Sequence, residues 1–182
     1  GMTYRALLPL FVVVLSGCSL NYGESQLATE ISEEIPDTIL TGVSHTVVRD
    51  NVVRFRIGAE LVESYGEENL QELHSVTFTE YDSTGAVRTE GTADYADFQT
   101  DTENVEITGN LRFYSVPDEA WIEAEYLFWN SDERQLTSRP EEPVALERSD
   151  GTSIIGRGFT AEMDQSLIIF SDGVEGTIVE EE

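Results

Sequence analysis

The chain of 182 residues is the size of one domain, and its 40% of hydrophobic residues supply enough apolar surface for a single core. It carries 36 acidic residues against 10 basic ones, all of them arginine, for a formal net charge of −26. Such a surface repels nucleic acid and anionic membrane faces, because both are bound through clusters of Lys and Arg. The composition therefore argues against DNA, RNA or polybasic lipid binding.

Residues 1–17 have the layout of a secretory signal peptide. Arg5 precedes an apolar run over residues 6–15, which small residues follow. The run is shorter than the ~20 residues that span a bilayer, so it predicts a cleaved signal rather than a transmembrane helix. Residues 15–18, Leu-Ser-Gly-Cys, resemble the lipobox of bacterial lipoproteins, which implies cleavage before Cys18 and lipidation of its thiol.

Cys18 is the only cysteine, so an intramolecular disulfide is impossible. The two histidines, His45 and His74, have no thiol to pair with in a zinc framework, and we predict neither a metal site nor a cofactor.

Two or more acyl chains on Cys18 suffice for anchoring, since each buried methylene contributes ~0.8 kcal/mol. Residues 18–40 are polar with weak periodicity, which predicts a tether.

Residues 41–182 fall into short β-like segments separated by turn signals such as Asp-Ser-Thr-Gly at 82–85. This spacing predicts a single all-β domain built as an antiparallel meander. The predicted strands are 43–49, 52–63, 72–81, 86–98, 104–114, 120–129, 134–138, 143–148, 153–162, 166–170 and 174–179.

Strict alternation gives most strands one apolar and one polar face. With no helix to cover the apolar face, we expect the sheet to fold over on itself or to bind lipid there. For most of the apolar residues on this face, plain core packing is the favoured interpretation. The larger ones are candidates for a lipid groove: Phe55, Ile57, Phe78, Ile107, Leu111, Phe113, Ile122, Phe128 and Phe159. Trp121, Leu127 and Trp129 are exceptions that alternation places on the second face.

Catalytic signals are poor, so we expect no enzyme. The segment 151–156 misses the Gly-x-Ser-x-Gly spacing by one residue, and no phosphate-binding loop with a following Lys occurs. Acidic clusters at 94–103 and 141–142 could in principle hold calcium, but they lack EF-hand spacing, and solvated strand ends are the favoured interpretation. Gly156-Arg157-Gly158 inside a strand-like segment predicts a bulge or a close backbone approach.

The order of these segments resembles the LptC family of lipopolysaccharide export over roughly residues 40–180. The segments that carry the resemblance are Phe55-Arg-Ile-Gly-Ala-Glu, Val76-Thr-Phe-Thr-Glu-Tyr-Asp with Gly85, Val105-Glu-Ile-Thr-Gly-Asn-Leu-Arg-Phe, Glu125-Tyr-Leu-Phe-Trp-Asn, Pro143-Val-Ala-Leu, Gly156-Arg-Gly-Phe-Thr-Ala-Glu and Val174-Glu-Gly-Thr-Ile. Familiar members keep an N-terminal membrane helix, whereas this chain looks like a lipoprotein.

The resemblance implies an open, twisted, boat-shaped antiparallel sheet in two layers, a jellyroll-like groove that receives acyl chains. It implies a non-catalytic carrier at the periplasmic face of a bacterial membrane, the inner rather than the outer one. Its partners would be lipopolysaccharide or a similar glycolipid, the inner-membrane transporter complex and a periplasmic bridge protein of like fold. Val174, Thr177 and Ile178 would form a partner edge.

Two other functions stay open from the residues alone. One is a membrane-anchored lipoprotein whose β domain serves only protein–protein interaction. The other, less favoured, is a carbohydrate-active enzyme that uses paired carboxylates, although no pair stands out.

Overall fold

The computed structural model describes residues 35–162, 165 and 167–179, which form twelve β-strands and no helix. The strands are β1 (Thr38–Arg49), β2 (Val52–Tyr65), β3 (Leu70–Tyr81), β4 (Val87–Gln99), β5 (Val105–Ser115), β6 (Ala120–Asn130), β7 (Gln135–Thr137), β8 (Val144–Arg148), β9 (Ser153–Gly156), β10 (Phe159–Glu162), β11 (Leu167–Phe170) and β12 (Val174–Thr177). All belong to one open antiparallel sheet, so the predicted all-β class is confirmed.

The first six strands pair with their sequence neighbours, as a meander does. Beyond β6 the next three positions in the sheet are each occupied by two short strands. At one end β6 pairs with β7, followed by β10 and β11, and at the other end it pairs with β8, followed by β9 and β12. The meander therefore continues to the last strand, but its final three positions are interrupted in the middle.

The interruptions have local causes. Residues 138–143 between β7 and β8 contain Pro140 and Pro143, which lack the N–H that a ladder needs. The prediction of one strand over 153–162 is wrong at Arg157 and Gly158, where Gly158 takes a φ of +64° and separates β9 from β10. The expected close approach is confirmed at Gly156, where any Cβ would collide with the ring of Phe170.

Inward-facing positions do not alternate along the whole length of the long strands. Halfway along β2, β3, β4 and β6, successive core residues are three apart instead of two. These pairs are Ala59 and Val62, Leu73 and Val76, Ala93 and Ala96, and Ala124 and Leu127. In β5 the step from Ile107 to Leu111 contains one extra residue, because β5 bulges between its neighbours at this point. The apolar pattern is thus out of phase between the two halves of the sheet.

A row of exposed residues marks the change of phase and is called the crease below: Glu60, Ser75, Asp94, Asn110 and Glu125. The backbone is left-handed there at Ser75 (φ +54°), Gly109 (+82°) and Asn110 (+45°). Two neighbours in this row are joined by their side chains, since Asn110 Nδ2 donates to Asp94 Oδ2 over 2.7 Å. A left-handed residue breaks the pleat, and hydrogen-bonded neighbours follow the bend.

The crease overturns the alternation predicted for β6. Alternation placed Phe128 with Ala124 on the apolar face and Leu127 on the other. The structure instead leaves Leu127 with 0% of its surface exposed, so it belongs to the core, while Phe128 is half-buried and pairs with Glu106 and Thr137. The period of two is local and does not survive the bend at Glu125.

The sheet folds over on itself, as a contact between Phe55 and Trp129 demonstrates. Phe55 of β2 is aligned through the register with Ala120 of β6, four strands across and nine residues before Trp129. In a flat sheet this separation is about 19 Å across the strands and about 30 Å along them. The two rings lie 6.4 Å apart between centroids. Diagonally opposite parts of the sheet therefore meet.

Strand β1 begins at Thr38, within the range that the sequence assigned to the tether. The signal peptide, Cys18 and most of the tether lie outside the described residues. Among the residues that are described, the structure has no helix with the length and apolar character to cross a membrane.

Candidate functional site

The face that the folded sheet encloses, called the inner face, carries the core. Four of the predicted groove residues are buried in it, with exposed fractions of 3% for Leu111, 6% for Phe113, and 1% for both Ile122 and Phe159. Three more are half-buried and pack against this cluster, namely Ile57, Phe78 and Ile107. Phe55 is half-buried at one end, where it meets Trp129, and Phe128 lies on the opposite face.

Sequence reasoning missed part of this core. Leu127, Val62 and Ala96 are buried beyond the crease, at positions where alternation predicts the outer face. The Gly-Asn pair at 109–110 inside an apolar strand was the signal that could have located the change of phase, since these residues favour left-handed backbone.

Phe78 and Phe113 show how closely the inner face is packed. They flank Gly91 in the register of β3, β4 and β5. Their ring centroids lie 6.1 Å apart, and a Cβ on Gly91 would come within 2.8 Å of Phe78 Cε1. The absence of a side chain at Gly91 lets the two rings meet across the strand between them.

The sheet is open at its ends. Within the described residues β1 pairs only with β2, and β11 and β12 pair only with β10 and β9. Exposed aliphatic side chains concentrate on these terminal strands and beside them: Ile39, Leu40, Val48, Leu167, Ile169, Val174 and Ile178. Val174 and Thr177 of the predicted partner edge lie in β12, and Ile178, 72% exposed, follows it. An unpaired edge with exposed apolar residues favours pairing with another chain.

At the end of the sheet where Phe55 lies, the inner face carries an acid. Glu80 is only 4% exposed and accepts a hydrogen bond from Thr89 Oγ1 over 3.0 Å. Burial raises the pKa of Glu80 above its ordinary 4.5, and attraction to Arg88, Arg134 and Arg54 opposes this rise. A carboxyl group with three guanidinium groups around it is an unusual feature in a chain of net charge −26.

The structure also brings together Glu63, Glu72 and His74, which the sequence left unconnected. One donor atom of each lies within 4.8 Å of the others, and His74 Nε2 is 3.1 Å from Glu63 Oε1. The ring of Tyr95 packs edge-on against the ring of His74, with 5.2 Å between the ring centroids. Burial and a hydrogen bond to Asp97 raise the pKa of Tyr95, so its hydroxyl stays protonated. Two carboxylates and an imidazole are ligands that a divalent cation could use.

These features define a class: an open antiparallel β-sheet protein, folded over an apolar face, with terminal strands that are unpaired on one side within the described residues. Residues 6–179 match the family described as "Lipopolysaccharide-assembly, LptC-related". The chain belongs to this family, so the predicted resemblance is confirmed. Membership supports a role in lipopolysaccharide transport by a periplasm-facing component associated with the inner membrane. No curated protein matches the chain.

Proposed function

We propose that the chain is a non-catalytic carrier and bridge in lipopolysaccharide export. Acyl chains bind against the inner face, and the sheet edges pair with transport proteins of like fold. A lipid on Cys18 holds the domain at the periplasmic face of the inner membrane. The observation that carries the proposal is an open sheet folded over an apolar face, in a chain of this family.

Burial decides which groove residues are suited to contact a lipid. The fully packed residues Ile122 and Phe159 hold the fold together, and an acyl chain could reach them only by displacing neighbours. The half-buried residues Phe55, Ile57 and Phe78 still expose apolar surface on strands close to the β1 edge. Acyl chains gain about 25 cal/mol per Å² when they leave water for such a surface.

Photo-crosslinking on β3 tests the lipid part of the proposal. Phe78 pairs with Ile57 and Gly91 on the inner face, and its neighbour Thr79 pairs with Arg56 and Glu90 on the outer face. Both residues are half-buried, which makes them a matched pair. A photoreactive residue at position 78 should capture lipopolysaccharide and one at 79 should not. Equal capture from both positions, or none at 78, would contradict a lipid path along the inner face.

The alternative function is that of a lipoprotein that only binds proteins, and the exposed edges favour it. A lipopolysaccharide-binding assay distinguishes it from the carrier. Delipidated protein that is not shifted by added lipopolysaccharide in a binding assay, yet retains its protein partner, would support it.

Edge pairing itself is tested with Thr177→Pro, since Thr177 lies in β12, whose second side is unpaired in the described structure. Unchanged capture of a bridge protein of like fold, with an unchanged melting temperature, would count against pairing through β12.

A further inference from the structure

Three of the ten arginines converge at one end of the folded sheet. Arg54, Arg88 and Arg134 line a cavity of about 180 Å³ together with Glu80 and residues 81–83. Arg54 comes from β2 and Arg88 from β4, while Arg134 comes from the turn that follows β6. The cavity, called the arginine pocket below, therefore exists only in the folded-over sheet.

Each of the three arginines occupies an irregular backbone position. Arg54 is the extra residue of a bulge in β2, because Phe55 pairs with Val47 and Val53 with Val48. A second bulge has the same form in β4, where Thr89 pairs with Glu80 and Val87 with Tyr81, so that Arg88 is the extra residue. Bulges redirect side chains and are enriched beside functional sites.

The third arginine is placed by a turn. Arg134 takes a left-handed φ of +51°, a conformation that disfavours residues with a Cβ. Two bulges and a left-handed residue thus direct three guanidinium groups to one cavity. Core packing alone does not require this arrangement, since charged groups of this kind avoid a core.

The charges of the arginine pocket favour an anion. Three guanidinium groups face two carboxylates, those of Glu80 and Asp82. Asp82 Oδ1 is already engaged by its own turn, since it accepts hydrogen bonds from Thr84 N over 2.8 Å and Ala86 N over 3.0 Å. Arg88 and Arg134 also have interactions within the protein, so an anion would compete with Glu80 for them.

We propose that the arginine pocket binds a phosphate group, and that in the cell this phosphate belongs to the headgroup of the transported glycolipid. Guanidinium groups bind phosphate through paired, charge-assisted hydrogen bonds. The cavity of about 180 Å³ has room for a phosphate group. The assignment to a lipid rests on the proposed carrier function, whereas phosphate binding itself does not.

Inorganic phosphate titrated into the full-length protein in detergent, followed by calorimetry, tests the pocket without any lipid. Arg88→Gln or Arg134→Gln should weaken phosphate binding about tenfold or more, because each removes a charged donor. Glu80→Gln should strengthen binding several-fold, because it removes the competing carboxylate. If the arginines served only to neutralise Glu80, wild type would not bind phosphate.

The control is Arg112→Gln, since Arg112 is 53% exposed and pairs with Glu123 over 2.9 Å on the outer surface. Circular dichroism and a melting curve for each variant separate lost binding from lost folding, and Arg134 lies in a turn where substitution spares the strands. No phosphate binding by wild type, or equal losses in Arg112→Gln and Arg88→Gln, would overturn the proposal.

The second arm compares one acylated glycolipid with and without its phosphates. Wild type should bind the phosphorylated form about tenfold more tightly, and Arg54→Gln with Arg88→Gln together should abolish the preference. Equal binding of both forms overturns the assignment of the pocket to the glycolipid phosphate and leaves the carrier function standing. Binding of inorganic phosphate without binding of either lipid overturns the carrier function and leaves a site for free phosphate.

Discussion

The phase change at the crease predicts very different losses of stability for substitutions at two adjacent residues of β6. Leu127 has no exposed surface, so Leu127→Thr removes buried apolar atoms and places a hydroxyl group in an apolar core. Lost burial and the cavity cost about 2–5 kcal/mol, and the buried hydroxyl adds to this. Phe128→Thr puts the same side chain on the opposite face, where the register neighbours are Glu106 and Thr137.

We therefore expect Leu127→Thr to lower the free energy of unfolding by at least twice as much as Phe128→Thr. For a domain of this size each kcal/mol moves the melting temperature by about 2–4 °C, so Leu127→Thr should lower it by roughly 4–20 °C. Urea unfolding followed by far-ultraviolet circular dichroism measures the difference. The comparison requires that the free energy of unfolding depend equally on urea concentration in both variants. A larger loss from Phe128→Thr would refute the phase change and restore simple alternation through β6.

Three further predictions concern other parts of the molecule. Gly91→Ala should cost about 1–3 kcal/mol, because its Cβ collides with Phe113 Cβ, the carbonyl oxygen of Arg112 and the ring of Phe78, whereas Thr92→Ala at the exposed neighbour should cost far less in the same urea melts. Because burial raises the pKa of Glu80 above 4.5, its stabilising contribution is complete below pH 4.5 and is lost as the pH rises through the raised pKa. Glu80→Gln should remove that decline, and a stability difference between the two proteins that does not vary with pH would contradict this. Cys18→Ala should abolish acylation and leave either soluble protein or an uncleaved precursor, as fractionation and mass spectrometry would detect; membrane-bound, acylated protein would contradict the anchor.

Much of the architecture follows from local sequence. Turn signals between short apolar segments located most of the strands to within a few residues, because hydrogen-bonded ladders end where Gly, Pro, Asn and Asp favour turns. The lack of any helical period and the one-sided strands were sufficient to predict a sheet that folds over on itself. The order of the segments also indicated the family, which the match over residues 6–179 confirms.

Tertiary structure alone decided which residues meet. Alternation is a property of one extended strand, so it could not foresee that left-handed residues at Ser75 and Asn110 shift the apolar phase and bury Leu127. Contacts such as that of Phe55 with Trp129, or three arginines around Glu80, join segments separated by up to 80 residues in sequence. They arise from the register, the bulges and the closure of the sheet. These depend on pairing between strands and cannot be read from the alternation of apolar residues in any single strand.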